Sequence, residues 1–279
     1  MEPFKYRDAE IPYFSLVAWE KEFPHLIVGF SARKLGEDID CRNYALHVGN
    51  HPEQVIMNRE QLAEQLGMPF SAWTCGEQVH GVHIKHVTTQ DRGKGRASRE
   101  SAFPETDGMI TGETDILLAS YYADCVPLYF YSPDIDYVGV AHAGWKGTVN
   151  GMAENMVRHL VSLGANRDNI RAAIGPSIGA CCYEVDERVM EPLRKALPDA
   201  AALEKVAISH VPAKWQLDLK KANEEILKQA GVLPEHILRS QWCTSCDADY
   251  FYSHRRDGGK TGRMVAWIAK VERGSGWRN

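Results

Sequence analysis

Three side chains suited to a soft metal ion stand beside glycines or at the ends of apolar runs. They are His80 in Q-V-H-G, Cys125 in A-D-C-V-P and His142 in A-H-A-G-W-K-G-T. Imidazole and thiolate are preferred zinc donors, and three protein ligands that leave a fourth place to water or substrate are the catalytic arrangement. The long spacings resemble catalytic sites assembled from distant strands rather than the short C-x-x-C pairs of zinc fingers. Spacing alone does not single out this trio. A buried cysteine can be a small hydrophobe, a core histidine can be a hydrogen-bonded packing residue, and His83 and His86 are rivals in the same stretch.

The residues after His142 suggest a second chemistry. Gly144 and Gly147 allow close approach of a ligand to the main chain, and Lys146 brings a full positive charge. Met152, Met156, Leu160 and Leu163 recur at helical spacing, which predicts a helix over 150–163. A loop feeding a helix N-terminus suits an anion such as phosphate. The alternative is a plain strand-to-helix turn with a solvated lysine.

These residues need elements to hold them. The pattern predicts strands at 26–31, 116–122, 126–131, 170–174, 236–242 and 263–271, and an apolar strand from 137 that runs into a short loop holding His142. It predicts helices at 53–66, with Gly67 after it, at 186–197, with Pro192 as a kink or break, and at 218–230, with Gly231 after it. The later half of T-C-G-E-Q-V-H-G-V-H-I-K-H-V alternates enough for a strand, 41–52 reads as a polar loop, and 91–105, rich in Gly, Arg, Ser and Lys, reads as mobile. Strands and helices mix without strict alternation, so the expected fold is α+β, with mixed sheets in a layered sandwich flanked by helices. No repeat or linker divides the chain, and one domain over 1–279 is the simplest expectation.

Composition sets outer limits. With 279 residues, 44% of them hydrophobic and 25% charged, the chain can bury a substantial core. A net charge of -5 argues against general nucleic-acid binding. The first residues show no secretory pattern and the longest run poor in charge is broken by Asp124 and Pro127, so a cytoplasmic protein without a membrane span is expected. Seven cysteines then point to thiols and metal rather than a disulfide framework. Cys243-Thr-Ser-Cys246 is a lone C-x-x-C and Cys181-Cys182 are adjacent, an awkward pair for one ion, so all four are expected to be core thiols. Self-association is left open.

Seven motifs in order, H-V-G-N-H-P-E-Q-V-I-M-N-R, Q-V-H-G, T-D-G-M-I-T, A-D-C-V-P-L, A-H-A-G-W-K-G-T, G-P-S-I-G-A-C-C-Y-E-V and F-Y-S-H-R-R-D-G-G-K-T-G-R-M, give the chain its clearest resemblance. Over nearly its whole length it resembles the bacterial laccase-domain, or polyphenol oxidase, family, whose members are zinc-dependent purine nucleoside phosphorylases that also deaminate adenosine. The resemblance implies that His80, Cys125 and His142 are zinc ligands and catalytic, and that the substrates are purine nucleosides and phosphate. Family members usually carry a glycine-rich run before a segment like S-L-N-L-G-L-H-V-G-D-D. Here 34–51 keeps Asn43, His47 and Gly49 but has Arg42, Asn50 and His51 at altered positions, which bears on substrate contacts made by Asn43 and its neighbours.

Within that reading, zinc would acidify a bound water for attack on adenine, with Asp124 or Glu77 moving the proton or supporting a histidine from behind. Asp124 fits the supporting role better. Lys146, Gly147 and Thr148 could hold phosphate, Arg255 or Arg256 could add a bidentate fork, and Trp145 could stack on the base; a solvated hairpin and core packing are the alternatives for the arginines and for Trp145. Rival functions are a metal-free cysteine hydrolase or deamidase with Cys125 as nucleophile and a histidine base, a copper-dependent phenol oxidase, and a non-enzymatic envelope-associated factor. Copper is disfavoured because multicopper oxidation needs many more histidines than one trio supplies.

Overall fold

The computed structural model describes residues 1–34, 36 and 39–272. Leu35, Glu37 and Asp38 of the altered segment, and 273–279 of the expected domain, lie outside the described residues. In chain order the elements are β1 (Phe4–Arg7), β2 (Tyr13–Leu16), α1 (Val17–Glu22), β3 (Leu26–Ser31), α2 (Pro52–Gln65), β4 (Trp73–Cys75), β5 (Ile84–His86), β6 (Gly108–Thr111), β7 (Leu117–Tyr122), β8 (Val126–Ser132), β9 (Tyr137–Ala143), α3 (Trp145–Val149), α4 (Met152–Ser162), β10 (Arg171–Ile174), β11 (Glu184–Val185), α5 (Glu187–Ala196), α6 (Ala200–Val206), β12 (Ala207–Val211), β13 (Lys214–Leu217), α7 (Leu219–Gln229), β14 (Ile237–Arg239) and β15 (Met264–Lys270).

Two six-stranded sheets form, ordered β1-β2-β3-β15-β7-β4 and β14-β10-β8-β9-β6-β5, with a small third sheet β11-β13-β12. Both large sheets are mixed. Among the described residues, parallel pairs occur only at their edges, β4 beside β7 in one, and β5 beside β6 and β14 beside β10 in the other.

The period of two along a strand decides the layering. On β8, Val126, Leu128 and Phe130 join a core with Met152, Met156 and Leu160 of α4 and with residues of α5 and α7. The alternate residues Tyr129 and Tyr131 join Phe14, Phe30, Leu118 and Ile268 of the other sheet. On that sheet's far face Leu117, Ala119 and Trp267 pack with Leu62 and Ala63 of α2. The order of layers is therefore helix, sheet, sheet, helix, which is the expected α+β fold. Among the described residues no helix is long and apolar enough to cross a membrane.

Several local expectations change. The helix expected over 150–163 forms as α4, but a separate short helix, α3, precedes it from Trp145, and the chain turns between the two at Asn150 and Gly151, where Gly151 has φ +84°. The helix α5 runs through Pro192 because Val189, Met190 and Leu193 on one face are buried, and that packing outweighs the lost amide bond. The segment 91–105 is tied down: Arg59, itself 1% exposed, donates to the carbonyls of Gly95 and Arg96 at 2.9 and 2.8 Å, and Phe103 is buried. The strand expected over 236–242 is reduced to Ile237–Arg239. The hairpin β1-β2 and the third sheet were not legible, because their strands are only two to five residues long and all but β2 are largely exposed or half-buried.

Candidate active site and metal centre

The link between β7 and β8 carries the chain from one large sheet to the other, and Asp124 and Cys125 lie in it. Asp124 has φ +84°, a left-handed conformation held by its own side chain. Its carboxylate accepts from Thr244 Oγ1 at 2.7 Å, Ser253 Oγ at 3.1 Å and the Arg255 amide at 2.7 Å. Cys125 follows directly. His142 is the penultimate residue of β9 and shares the face of Val138 and Val140, so it points toward the opposite sheet and is buried. His80 lies in the loop after β4 with φ +62°. Their ligand atoms all lie within 4.8 Å of one another.

Asp107, 2% exposed, organises both histidines. Its Oδ1 accepts from the His80 amide at 3.0 Å and lies 2.9 Å from His142 Nδ1; its Oδ2 accepts from the Val79 and Gly81 amides at 3.0 and 2.8 Å. Three converging amides fix the left-handed turn at His80. The contact at Nδ1 leaves His142 Nε2 as the ring atom free for a metal, the usual carboxylate–histidine arrangement behind a ligand. Burial works against the charge on Asp107, but the contact with His142 and the amides keeps its carboxyl below the usual range.

Burial also opposes a charged Cys125, yet the adjoining His142 and His80 outweigh it and bring the thiol down to about 6. Burial likewise disfavours a charged His142, while Cys125 and Asp107 raise it to about 9. The sulfur is thus poised as thiolate near neutrality, the form that binds metal. Two imidazoles and a thiolate, preorganised by a buried carboxylate, are a donor set that fits zinc.

The trio lines a cavity of about 460 Å³, within the range for small-molecule sites. Its walls include Gln78, Tyr121, Trp145, Lys146, Ile178 and Tyr183, with His47, His254, Arg255 and Arg263. The one carboxylate among the lining residues, Asp124, has both oxygens engaged. Positive charge dominates, and His47 records it: burial first, then the guanidiniums of Arg263, Arg99 and Arg59, push its imidazole down to about 4.

Of the residues expected to meet substrate, Trp145, Lys146 and Arg255 line this cavity. Lys146 Nζ lies 5.8 Å above the Trp145 ring, and the Arg255 guanidinium 5.0 Å from that of Tyr183. Others serve elsewhere. Gly147 and Thr148 are buried inside α3, and Thr148 Oγ1 accepts from Asn223 at 2.9 Å; the expected loop before a helix N-terminus is itself a five-residue helix. Asn43 is wholly buried, with its amide spent on Ala45, on the Val48 carbonyl at 2.8 Å and on the Arg263 amide at 3.1 Å, so it positions the cavity wall. Arg256 is committed to Asp257 and to the carbonyls of Thr244, Ser245 and Phe251. Glu77 pairs with Arg99 at 2.6 Å beside a neighbouring pocket. The carboxylate behind a histidine is Asp107 and not Asp124. His83 binds Thr106 and His86 packs near Tyr137, outside the trio.

Sequence reasoning missed Asp107, Tyr183, His254 and Arg263, and named His47 only as a residue kept in the altered segment. Asp107 stands in T-D-G-M-I-T, whose signal was a polar residue directly before a buried strand. The expected core thiols are also corrected: Cys181 and Cys246 are exposed and Cys182 is half-buried, and only Cys243 of the four is buried.

Residues 28–270 match the model of a family described as multi-copper polyphenol oxidoreductase laccase. The chain is 45% identical over 258 residues to purine nucleoside phosphorylase YlmD of Geobacillus stearothermophilus, covering 90% of this chain and 92% of that one. It is 43% identical to the YlmD of Bacillus subtilis, covering 88% and 89%. The crystal structure of the Geobacillus protein superimposes with a TM-score of 0.90 at 40% identity, covering 98% of this chain and all of that one.

Proposed function

The chain belongs to the multi-copper polyphenol oxidoreductase laccase family, and from that premise we propose that it is a zinc-dependent purine nucleoside phosphorylase that also deaminates adenosine. The observation that carries the reading is the His80, Cys125 and His142 cluster within a cavity whose free charges are cationic. The relatives named purine nucleoside phosphorylase support the substrate class, purine nucleosides and phosphate.

A zinc ion held by His80, Cys125 and His142 would supply Lewis acidity and an acidified water. The remaining work falls to the chain. Lys146, Arg255 and Arg263 attract phosphate and offset its charge, and the guanidiniums can grip two oxygens at once. Trp145, Tyr121 and Tyr183 offer aromatic surface to the purine. His47, neutral at pH 7, can accept a hydrogen bond from a nucleoside hydroxyl. Asp107 holds His142 by its Nδ1 atom and thereby fixes the ring. Asp124, whose oxygens already accept three bonds, anchors the wall that carries Arg255 rather than shuttling protons.

Adenosine incubated with the protein, with and without phosphate, tests the reading. Adenine plus ribose 1-phosphate should appear only with phosphate, and inosine in both. Absence of all three products sinks it. Metal-free protein, active and inactivated by alkylation of Cys125, would instead favour the cysteine hydrolase. Oxidation of phenols dependent on added copper would favour the oxidase.

A further inference from the structure

We propose that Cys181, Cys182, Cys243 and Cys246 form a second metal centre, a tetrathiolate site for one zinc ion that fastens together two loops walling the active cavity. The four sulfurs all lie within 4.8 Å of one another. Cys181 Sγ is 3.6 Å from Cys243 Sγ and 3.4 Å from Cys246 Sγ, and Cys182 Sγ is 3.3 Å from Cys246 Sγ. Sulfurs bound at about 2.3 Å around a tetrahedral ion stand roughly 3.8 Å apart, close to this spacing. A disulfide joins sulfurs two at a time at about 2.0 Å. Pairing gives no reason for Cys181 and Cys246 each to stand at similar distances from two partners.

The backbone explains how adjacent cysteines can share one ion. On a strand Cys181 and Cys182 would face opposite ways. Here they sit in a turn, with the Cys182 amide donating to the Gly179 carbonyl at 3.0 Å, and both sulfurs reach Cys246. The facing loop is held by the Thr244 amide on the Ser177 carbonyl at 3.1 Å. The Gly179 amide donates to Cys243 Sγ at 3.2 Å, and the amides of Ser245 and Cys246 point at the same sulfur. Amides converging on a cysteine sulfur stabilise thiolate. Four thiolates around a divalent ion carry a net charge of about -2, which calls for nearby compensation. Lys220, 3% exposed, supplies it: its ammonium donates to the carbonyls of Ser177 and Trp242, one on each loop.

Four protein ligands leave no open position, so this ion would be structural. Its position gives it leverage on the cavity. Tyr183, which lines the cavity, directly follows Cys182, and Arg255 Nη1 donates to the carbonyls of Cys182 and Glu184 at 3.4 and 3.2 Å. Thr244, between the paired cysteines, donates to Asp124.

Metal content of the full chain, purified in zinc without chelator, tests the proposal separately from the catalytic reading. Two zinc ions per chain are expected, falling to one in C243S/C246S and to one in H80A/H142A. Cobalt in H80A/H142A should show the intense thiolate-to-metal absorption and tetrahedral bands of an all-sulfur site. If only the catalytic reading fails, one zinc persists and only the cysteine variant loses it. Should C243S/C246S not fold, differential alkylation of the wild-type chain decides: the four thiols should be protected with zinc and reactive after chelation. Equal alkylation in both states, a Cys243–Cys246 disulfide in the native protein, iron in place of zinc, or unchanged zinc content in a folded C243S/C246S variant overturns the proposal.

Discussion

Asp107 Oδ1 bridges the His80 amide and His142 Nδ1, at 3.0 and 2.9 Å, so one buried oxygen sets the positions of two histidines from elements far apart in the sequence. Because its second oxygen takes two further amides, the carboxylate is a hub of the local backbone as well as a partner of the ring. Asp107→Asn presents an N–H where amides need an acceptor. We expect zinc affinity at the trio to fall by about 10- to 100-fold, measured by competition with a chromophoric chelator. An unchanged affinity would show that the histidines hold their geometry without it.

The trio itself gives the sharper result. His80→Ala and Cys125→Ser should each lose one zinc per chain and the products of both reactions, while circular dichroism stays that of the folded protein. A folded variant retaining full activity would refute the assigned metal site.

Lys146 is exposed beside the cavity and stacks near Trp145, so its removal should leave the core intact. Lys146→Ala is expected to raise KM for phosphate about tenfold, the scale of one charge-assisted hydrogen bond, and to impair phosphorolysis more than deamination. Equal losses in both reactions would argue against a role in holding phosphate.

Acid stability should depend on Asp91. Burial opposes its charge, but bonds to Lys94 and the Thr88 amide, with Lys85 nearby, lower its carboxyl to about 2 from an ordinary 3.8. A carboxyl depressed on folding stabilises the native state above its unfolded value and loses that contribution as pH falls from about 4 to 2. Asp91→Asn should therefore lower Tm at pH 7, by the equivalent of about 1 kcal/mol for a lost cap. The gap to wild type should shrink toward pH 2. A gap independent of pH would mean the ion pairs contribute nothing.

Asp124 offers a test of wall positioning. Asp124→Ala should unpair Thr244, Ser253 and the Arg255 amide together and strain the φ +84° turn. The expected outcome is a loss of stability of about 2–3 kcal/mol in urea unfolding and weaker phosphate binding. Loss of turnover with unchanged stability would restore it as a proton carrier.

The sequence by itself determined the elements whose apolar signal is strong. Strands β7, β8, β9 and β15 are apolar runs buried along almost their whole length, helices α2 and α7 bury one face at helical spacing, and α7 starts at the Asp218 cap. Spacing and residue type alone proposed His80, Cys125 and His142 without excluding His83 and His86. Only the tertiary structure decided that Asp124 is spent on a turn, that Asn43 is buried in backbone bonds and Arg256 committed to Asp257 and backbone carbonyls, and that Asp107 stands behind His142. It likewise turned four scattered cysteines into one cluster. The reason is physical: a side chain's role depends on which long-range partner satisfies its polar atoms once water is excluded, and that partner is chosen by the packing of two sheets and the loops between them, which no local pattern encodes.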